Sequence, residues 1–98
     1  MTDRSEQTGD LTLYYSDFCG FCVRVLQVID RLGISVELKN VVTEPAYRRE
    51  LAEGGGKRMV PCLRIRQNSG DDYWMYESAD IIHYLVQRFG EEALQSGR

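Results

Sequence analysis

Long apolar runs are missing from this 98-residue chain. The longest are only a few residues, well short of the ~20 that a membrane-spanning helix needs. A basic stripe is missing as well. The formal net charge is −3, and the Lys and Arg residues are interspersed with acidic ones. Such a chain offers no footprint for nucleic acid. The first ten residues, Met1 to Asp10, are polar and carry acidic charge, with no apolar core of a secretory signal. They read as a disordered leader, and the chain is expected to stay in the reducing cytoplasm. Cysteine is scarce and odd in number: there are three. That argues against a disulfide scaffold. In a reducing compartment such cysteines serve catalysis or metal binding rather than structure. No repeat or low-complexity segment appears. The length leaves room for one domain with one modest core.

What is present is organised around Tyr14-Tyr15-Ser16-Asp17-Phe18-Cys19-Gly20-Phe21-Cys22. An apolar strand runs into a short loop with two cysteines, and a helix follows. A Cys-x-x-Cys at a strand-to-helix junction reads as a thiol–disulfide redox motif. Cys19 falls at the helix N-terminus, where unpaired N–H groups and the helix dipole favour an anion. Thiolate is the nucleophilic form. Cys22 lies one turn on, within reach of a mixed disulfide on Cys19.

Around this centre the chain reads β-α-β-α-β-β-α. Leu11 to Tyr15 alternates as a strand, with Leu11, Leu13 and Tyr15 on one side. Phe21 to Leu32 switches to helical spacing through Cys22, Val25, Leu26 and Ile29, and Gly33 stops it. Val23 and Val28 fall outside that stripe. Ser35 to Lys39 is a second strand, with Val36 and Leu38 inward, and completes a right-handed parallel unit. Thr43 is the expected cap of a short helix over Pro45 to Glu53, with Tyr47 and Leu51 as its apolar pair and Gly54-Gly55-Gly56 ending it. Val60 to Arg66 and Tyr73 to Tyr76 form an antiparallel hairpin, with Arg64 and Arg66 outward. Ser78 is the expected cap of a last helix over Ala79 to Phe89. Its stripe is Ile82, Leu85, Val86 and Phe89, and Gly90 stops it. The fold class is α/β: a four-stranded mixed sheet flanked by helices. The domain spans 11–90, and 91–98 form a tail.

Each motif has a plainer reading beside the chemical one. Cys19 and Cys22 could be core residues, or half of a zinc site with Cys62 and His83, though those two lack the usual paired spacing. Pro61 suits the start of an edge strand, in either the trans form or a cis form that bares the Val60 backbone. Glu77 and Ser78 could simply cap the last helix, or could anchor a ligand carrying a carboxylate and an ammonium group. Cys62 reads as a small strand residue.

Together these residues resemble the glutaredoxin family of the thioredoxin-like fold. The matching features are the strand–Cys-x-x-Cys–helix start, Val60-Pro61 some forty residues later, the hairpin, and the polar opening of the last helix. The resemblance covers Leu11 to about Phe89. The run Glu77-Ser78-Ala79-Asp80-Ile81 is similar to the glutathione-binding N-terminal domain of glutathione S-transferases. The helical second domain of a complete transferase is not expected here. The resemblance implies a cis Pro61 and glutathione laid across the site. The cysteine of glutathione would pair with the Val60 backbone, its γ-glutamyl end would sit at Glu77 and Ser78, and Phe21 would flank the groove. The chain departs from the family at several positions. It has Cys-Gly-Phe-Cys where Cys-Pro-Tyr-Cys is common, one residue from the Cys-Gly-Phe-Ser of the iron–sulfur-carrying branch. Met59 replaces the usual Thr before Val-Pro. Ser16 stands where a lysine is frequent, and Asp17 is acidic.

The expected activity is glutathione-dependent thiol–disulfide exchange, with Cys19 and Cys22 catalytic and Phe21, Val60, Pro61, Glu77 and Ser78 binding glutathione as co-substrate. The expected partners are glutathione and glutathionylated or disulfide-containing proteins, with no nucleic acid and no membrane. The expected state is a monomer. The alternatives are a [2Fe–2S] cluster shared through Cys19 of two chains, with no other metal site, or a non-catalytic glutathione-binding adaptor.

Overall fold

The structure, a computed structural model, describes residues 9–68 and 70–90. The tail expected over 91–98 lies outside the described residues, as does all of the expected leader except Gly9 and Asp10. The Asp10 carbonyl accepts from the Arg66 amide at 2.8 Å, and its carboxylate takes both Arg88 amino groups at 2.9 and 3.0 Å.

Seven elements follow in the expected order. They are β1 (Leu11–Tyr15), α1 (Gly20–Leu32), β2 (Glu37–Asn40), α2 (Pro45–Gly55), β3 (Cys62–Ile65), β4 (Tyr73–Met75) and α3 (Ser78–Leu85), which widens into a π-helical turn over Val86–Gly90. The sheet order is β2-β1-β3-β4. β1 runs parallel to β2, with Leu13 opposite Leu38, and antiparallel to β3, with Leu13 opposite Leu63. The β3–β4 hairpin is antiparallel, as expected. Among the described residues no helix is long and apolar enough to cross a membrane.

Helices cover both faces of the sheet. On one, α1 and α3 bring Val25, Ile29, Leu32, Ile81, Leu85 and Phe89 onto Leu11, Leu13, Leu63 and Ile65. On the other, Leu51 of α2 joins Tyr14, Val41 and Cys62, flanked by Tyr47, Trp74 and Tyr76. This two-sided cover corrects the reading of β1 as a one-faced strand: Thr12 and Tyr14 are buried as fully as their neighbours. Leu38 is the opposite case. It is exposed, because β2 is an edge strand. In α3 the buried stripe is Ile81, Leu85 and Phe89 rather than the stripe through Ile82 and Val86. Ile81, Leu85 and Phe89 recur every four residues along one helix face, the face packed against α1 and the sheet.

A polar network ties the second face together. The Tyr14 hydroxyl donates to Glu50, which also pairs with Lys39 at 2.5 Å. Arg64 donates to the Tyr14 hydroxyl at 3.3 Å and to Asp72 at 2.6 Å, and its guanidinium lies over the Trp74 ring. Burial, then the bond to Glu50, pushes the Tyr14 hydroxyl pKa upward. Arg64 is thus half-buried rather than outward. Gly54 and Gly55 lie inside α2, not after it, and Gly56 at φ 88° closes the helix. A Cβ on Gly54 would overlap the Trp74 ring, and one on Gly55 the Tyr76 hydroxyl. These two glycines let α2 approach β4.

Candidate active site

The two-cysteine loop is shaped by its own first residue. The Ser16 carbonyl accepts from the Cys19 amide at 3.4 Å and its hydroxyl from the Phe18 amide at 3.2 Å. This tight turn delivers Cys19 as the N-cap of α1, at φ −108° and ψ 118°. The Cys19 Sγ accepts from the Cys22 amide at 3.4 Å. It occupies the place a serine or aspartate oxygen takes in an ordinary cap. A thiolate there satisfies an unpaired N–H and sits at the positive end of the helix. The Cys19 thiol also lies 3.9 Å from the Val60 carbonyl, its acceptor when protonated. Asp17, two residues before, accepts from the Asn40 side-chain amide at 3.0 Å, which joins this loop to the end of β2.

The three cysteines are free and differ sharply. Cys19 is partly exposed, whereas Cys22 and Cys62 are fully buried. Burial pushes the Cys22 thiol up to about 12, with neighbouring Cys19 adding to the rise and a hydrogen bond to the Ser16 backbone opposing it. Burial also pushes Cys62 up to about 12, against a lowering contact with Tyr76. Of the three thiols, only that of Cys19 is therefore reachable.

Beside that sulfur lies an open cleft of about 150 Å³, lined by Phe21, Met59, Val60, Pro61, Tyr76, Glu77 and Ser78. All five residues singled out from the sequence as a ligand groove are brought together here. Cys19 is not itself a wall, but its sulfur adjoins one through Val60. The Val60–Pro61 peptide bond is cis. The volume is below the ~300–1,000 Å³ of typical ligand pockets, so this is an open groove rather than an enclosed pocket. Sequence reasoning missed Met59 and Tyr76 as walls. Tyr76 is fixed through Lys57, whose carbonyl accepts from the Tyr76 hydroxyl at 3.1 Å and whose amide donates to it at 3.2 Å.

Two local expectations are corrected. Ser78 is the first residue of α3, and Glu77 is its N-cap, with no side-chain capping bond. The exposed Glu77 carboxylate is therefore not used up in capping. Thr43 does not cap α2 either. Glu44 takes that place, and the Thr43 hydroxyl donates to the Asn40 carbonyl at 3.4 Å.

Among the described residues no group of three or more His, Cys, Asp or Glu side chains could hold a metal ion. His83 is exposed on α3, and Cys22 and Cys62 are buried, so the four zinc candidates do not form a site. An iron–sulfur cluster would find one accessible thiol per chain and would need its other ligands from outside it.

The family profile described as "Glutathione S-transferase, N-terminal domain" matches residues 13–93. Among curated proteins, glutaredoxin 2 of Escherichia coli (strain K12) is 28% identical over 88 residues, covering 90% of this chain and 38% of its own. Among solved structures, glutathione transferase Omega 3C from Trametes versicolor superposes with a TM-score of 0.65 at 27% identity, over 88% of this chain and 38% of that one. The trimeric glutathione transferase TDR1 of Leishmania gives a TM-score of 0.65 at 28% identity, over 81% of this chain and 18% of that one. The chain thus spans about 38% of the length of the curated relatives it matches.

Proposed function

The chain belongs to the glutathione S-transferase N-terminal domain family, and from that premise we propose that it is a glutathione-dependent thiol–disulfide oxidoreductase of the glutaredoxin type, acting in the cytoplasm. One observation carries the choice of exchange chemistry. The most reachable of the three thiols, Cys19, caps a helix N-terminus and adjoins a groove ending in an uncommitted carboxylate at a second helix N-terminus.

Glutathione lies along the groove in this reading. Its γ-glutamyl ammonium meets the Glu77 carboxylate, and its γ-glutamyl carboxylate meets Ser78 and the first turn of α3. The bared Val60 backbone pairs with its cysteine, as extended peptides pair with sheet edges. Phe21 and Met59 form the apolar walls. The substrate is a protein–glutathione mixed disulfide. The Cys19 thiolate attacks the glutathione sulfur, the old S–S bond breaks, and the protein thiolate leaves and takes a proton from water. A second glutathione thiolate then attacks the Cys19-bound sulfur and releases glutathione disulfide and the Cys19 thiolate. The net change converts one mixed disulfide and one glutathione to a protein thiol and glutathione disulfide. Resolution by Cys22 is the slower route, because that thiol is buried and holds its proton.

The test is to treat the reduced protein with glutathione disulfide and map the adduct by peptide mass spectrometry. One glutathione on Cys19 is expected. An adduct on Cys22 or Cys62, or none at all, overturns the assignment.

A further inference from the structure

The cleft accounts for one half of a mixed disulfide and leaves the other half unassigned. Phe18, immediately before the nucleophile, is 87% exposed, the highest value among the large apolar side chains of the described residues. It is not part of the cleft lining. Its backbone is held, since the Phe18 amide donates to Ser16, so the ring projects from a fixed turn. Phe21 at 61% and Met59 at 55% exposure line the cleft itself, which meets the Cys19 sulfur through Val60. A single exposed apolar residue is ordinary, but Phe18 directly precedes the reactive cysteine and, unlike Phe21 and Met59, is left outside the glutathione cleft. The partner at that ring is defined by the chemistry. Whatever is bonded to the glutathione sulfur must approach Cys19 while glutathione fills the cleft.

We propose that Phe18 is a specificity-determining residue for the protein half of the mixed disulfide, selecting substrates with an aromatic or aliphatic side chain next to the glutathionylated cysteine. The inference rests on the glutathione-dependent exchange proposed above. Attack at the glutathione sulfur makes the substrate cysteine the leaving group, so that cysteine and its neighbours sit outside the cleft, where Phe18 stands. A flanking ring or aliphatic chain covers part of the exposed Phe18 face, and a polar or acidic neighbour does not. Asp17, beside Phe18, adds a repulsive element against an acidic flank.

The experiment uses the full chain, glutathione as reductant, and two glutathionylated peptides that differ only in carrying Phe or Ser on both sides of the cysteine. The mixed disulfide of glutathione and 2-mercaptoethanol serves as a third substrate with no flanking residues. The expected result is a kcat/KM about fivefold higher for the Phe peptide, the size of one aromatic contact. Phe18→Ser brings that ratio close to one, and Phe18→Leu restores most of it. Equal kcat/KM for the two peptides in the wild type overturns the inference while leaving the exchange reaction standing. An unchanged ratio in Phe18→Ser also overturns it. Absence of turnover on all three substrates overturns the proposed reaction and this inference together.

Discussion

Loading Cys19 with glutathione and following its release without any free thiol isolates attack by Cys22. Burial pushes the Cys22 thiol up to about 12, and burial persists when Cys19 is occupied, although the contribution from Cys19 then disappears. A thiol with a pKa of about 12 is ionised to only ~10⁻⁵ at pH 7, against ~10⁻² for one near 9. The more basic sulfur is intrinsically the better nucleophile. With a Brønsted slope of about 0.4–0.5, three units recover roughly twentyfold. The thousandfold loss of thiolate therefore outweighs the gain, and the step runs roughly fiftyfold slower than for an unperturbed thiol in the same place. The assay is single-turnover release of glutathione, quenched with acid and quantified by chromatography, between pH 6 and 9. The logarithm of the rate should climb with slope close to one across the whole range. Cys22→Ser should abolish this release yet leave deglutathionylation by free glutathione within about twofold of wild type, since a solution thiolate does that work. A plateau anywhere between pH 6 and 8 would refute the reasoning, because it would show Cys22 already ionised.

Other outcomes follow from the same structure. Gly55→Ala sits in a helix, where alanine ordinarily gains about 1 kcal/mol over glycine. Here the added methyl meets the Tyr76 hydroxyl, so a net loss of about 1–3 kcal/mol is expected in urea unfolding, and a gain would contradict the packing of α2 on β4. Stability should fall as pH rises above 9. The unfolded state loses its cysteine protons near 9 while the folded state holds those of Cys22 and Cys62 to about 12. Each buried thiol then costs up to about 1.4 kcal/mol per pH unit. Melting temperatures at pH 8, 9 and 10 should decline, and less steeply in Cys62→Ala; identical slopes would count against a suppressed Cys62. Glu77→Gln should raise the KM for glutathione about threefold with kcat retained, the scale of a solvent-exposed ion pair. An unchanged KM would remove Glu77 from the groove's function.

Much of the fold was legible because local patterns encode it. Period-two alternation marked β1 and β3, helical spacing marked α1, and turn residues before Tyr73 marked the hairpin. What alternation does not encode is whether the second face of a strand is covered. Tyr14 and Thr12 fall on the face opposite Leu11 and Leu13 yet are buried, Tyr14 in a cluster with Leu51 of α2. The Glu50–Lys39–Tyr14–Arg64–Asp72 network escaped for a related reason. Its members come from five segments of the chain, and no spacing joins them. In the candidate site the groove residues Phe21, Val60, Pro61, Glu77 and Ser78 were found through their motifs; Met59 was noted only as a departure before Val-Pro, and Tyr76 carries no motif and enters only by three-dimensional proximity. The isomer at Val60–Pro61 was equally invisible to residue spacing; only the family resemblance pointed to cis.

The most direct measurement is turnover of a glutathionylated peptide by the purified protein with glutathione as the only reductant, run beside Cys19→Ser. The prediction is glutathione-dependent release well above the uncatalysed rate and its loss in the variant. Full activity in Cys19→Ser, or no turnover by the wild type, would contradict a nucleophilic Cys19 serving a glutathione groove.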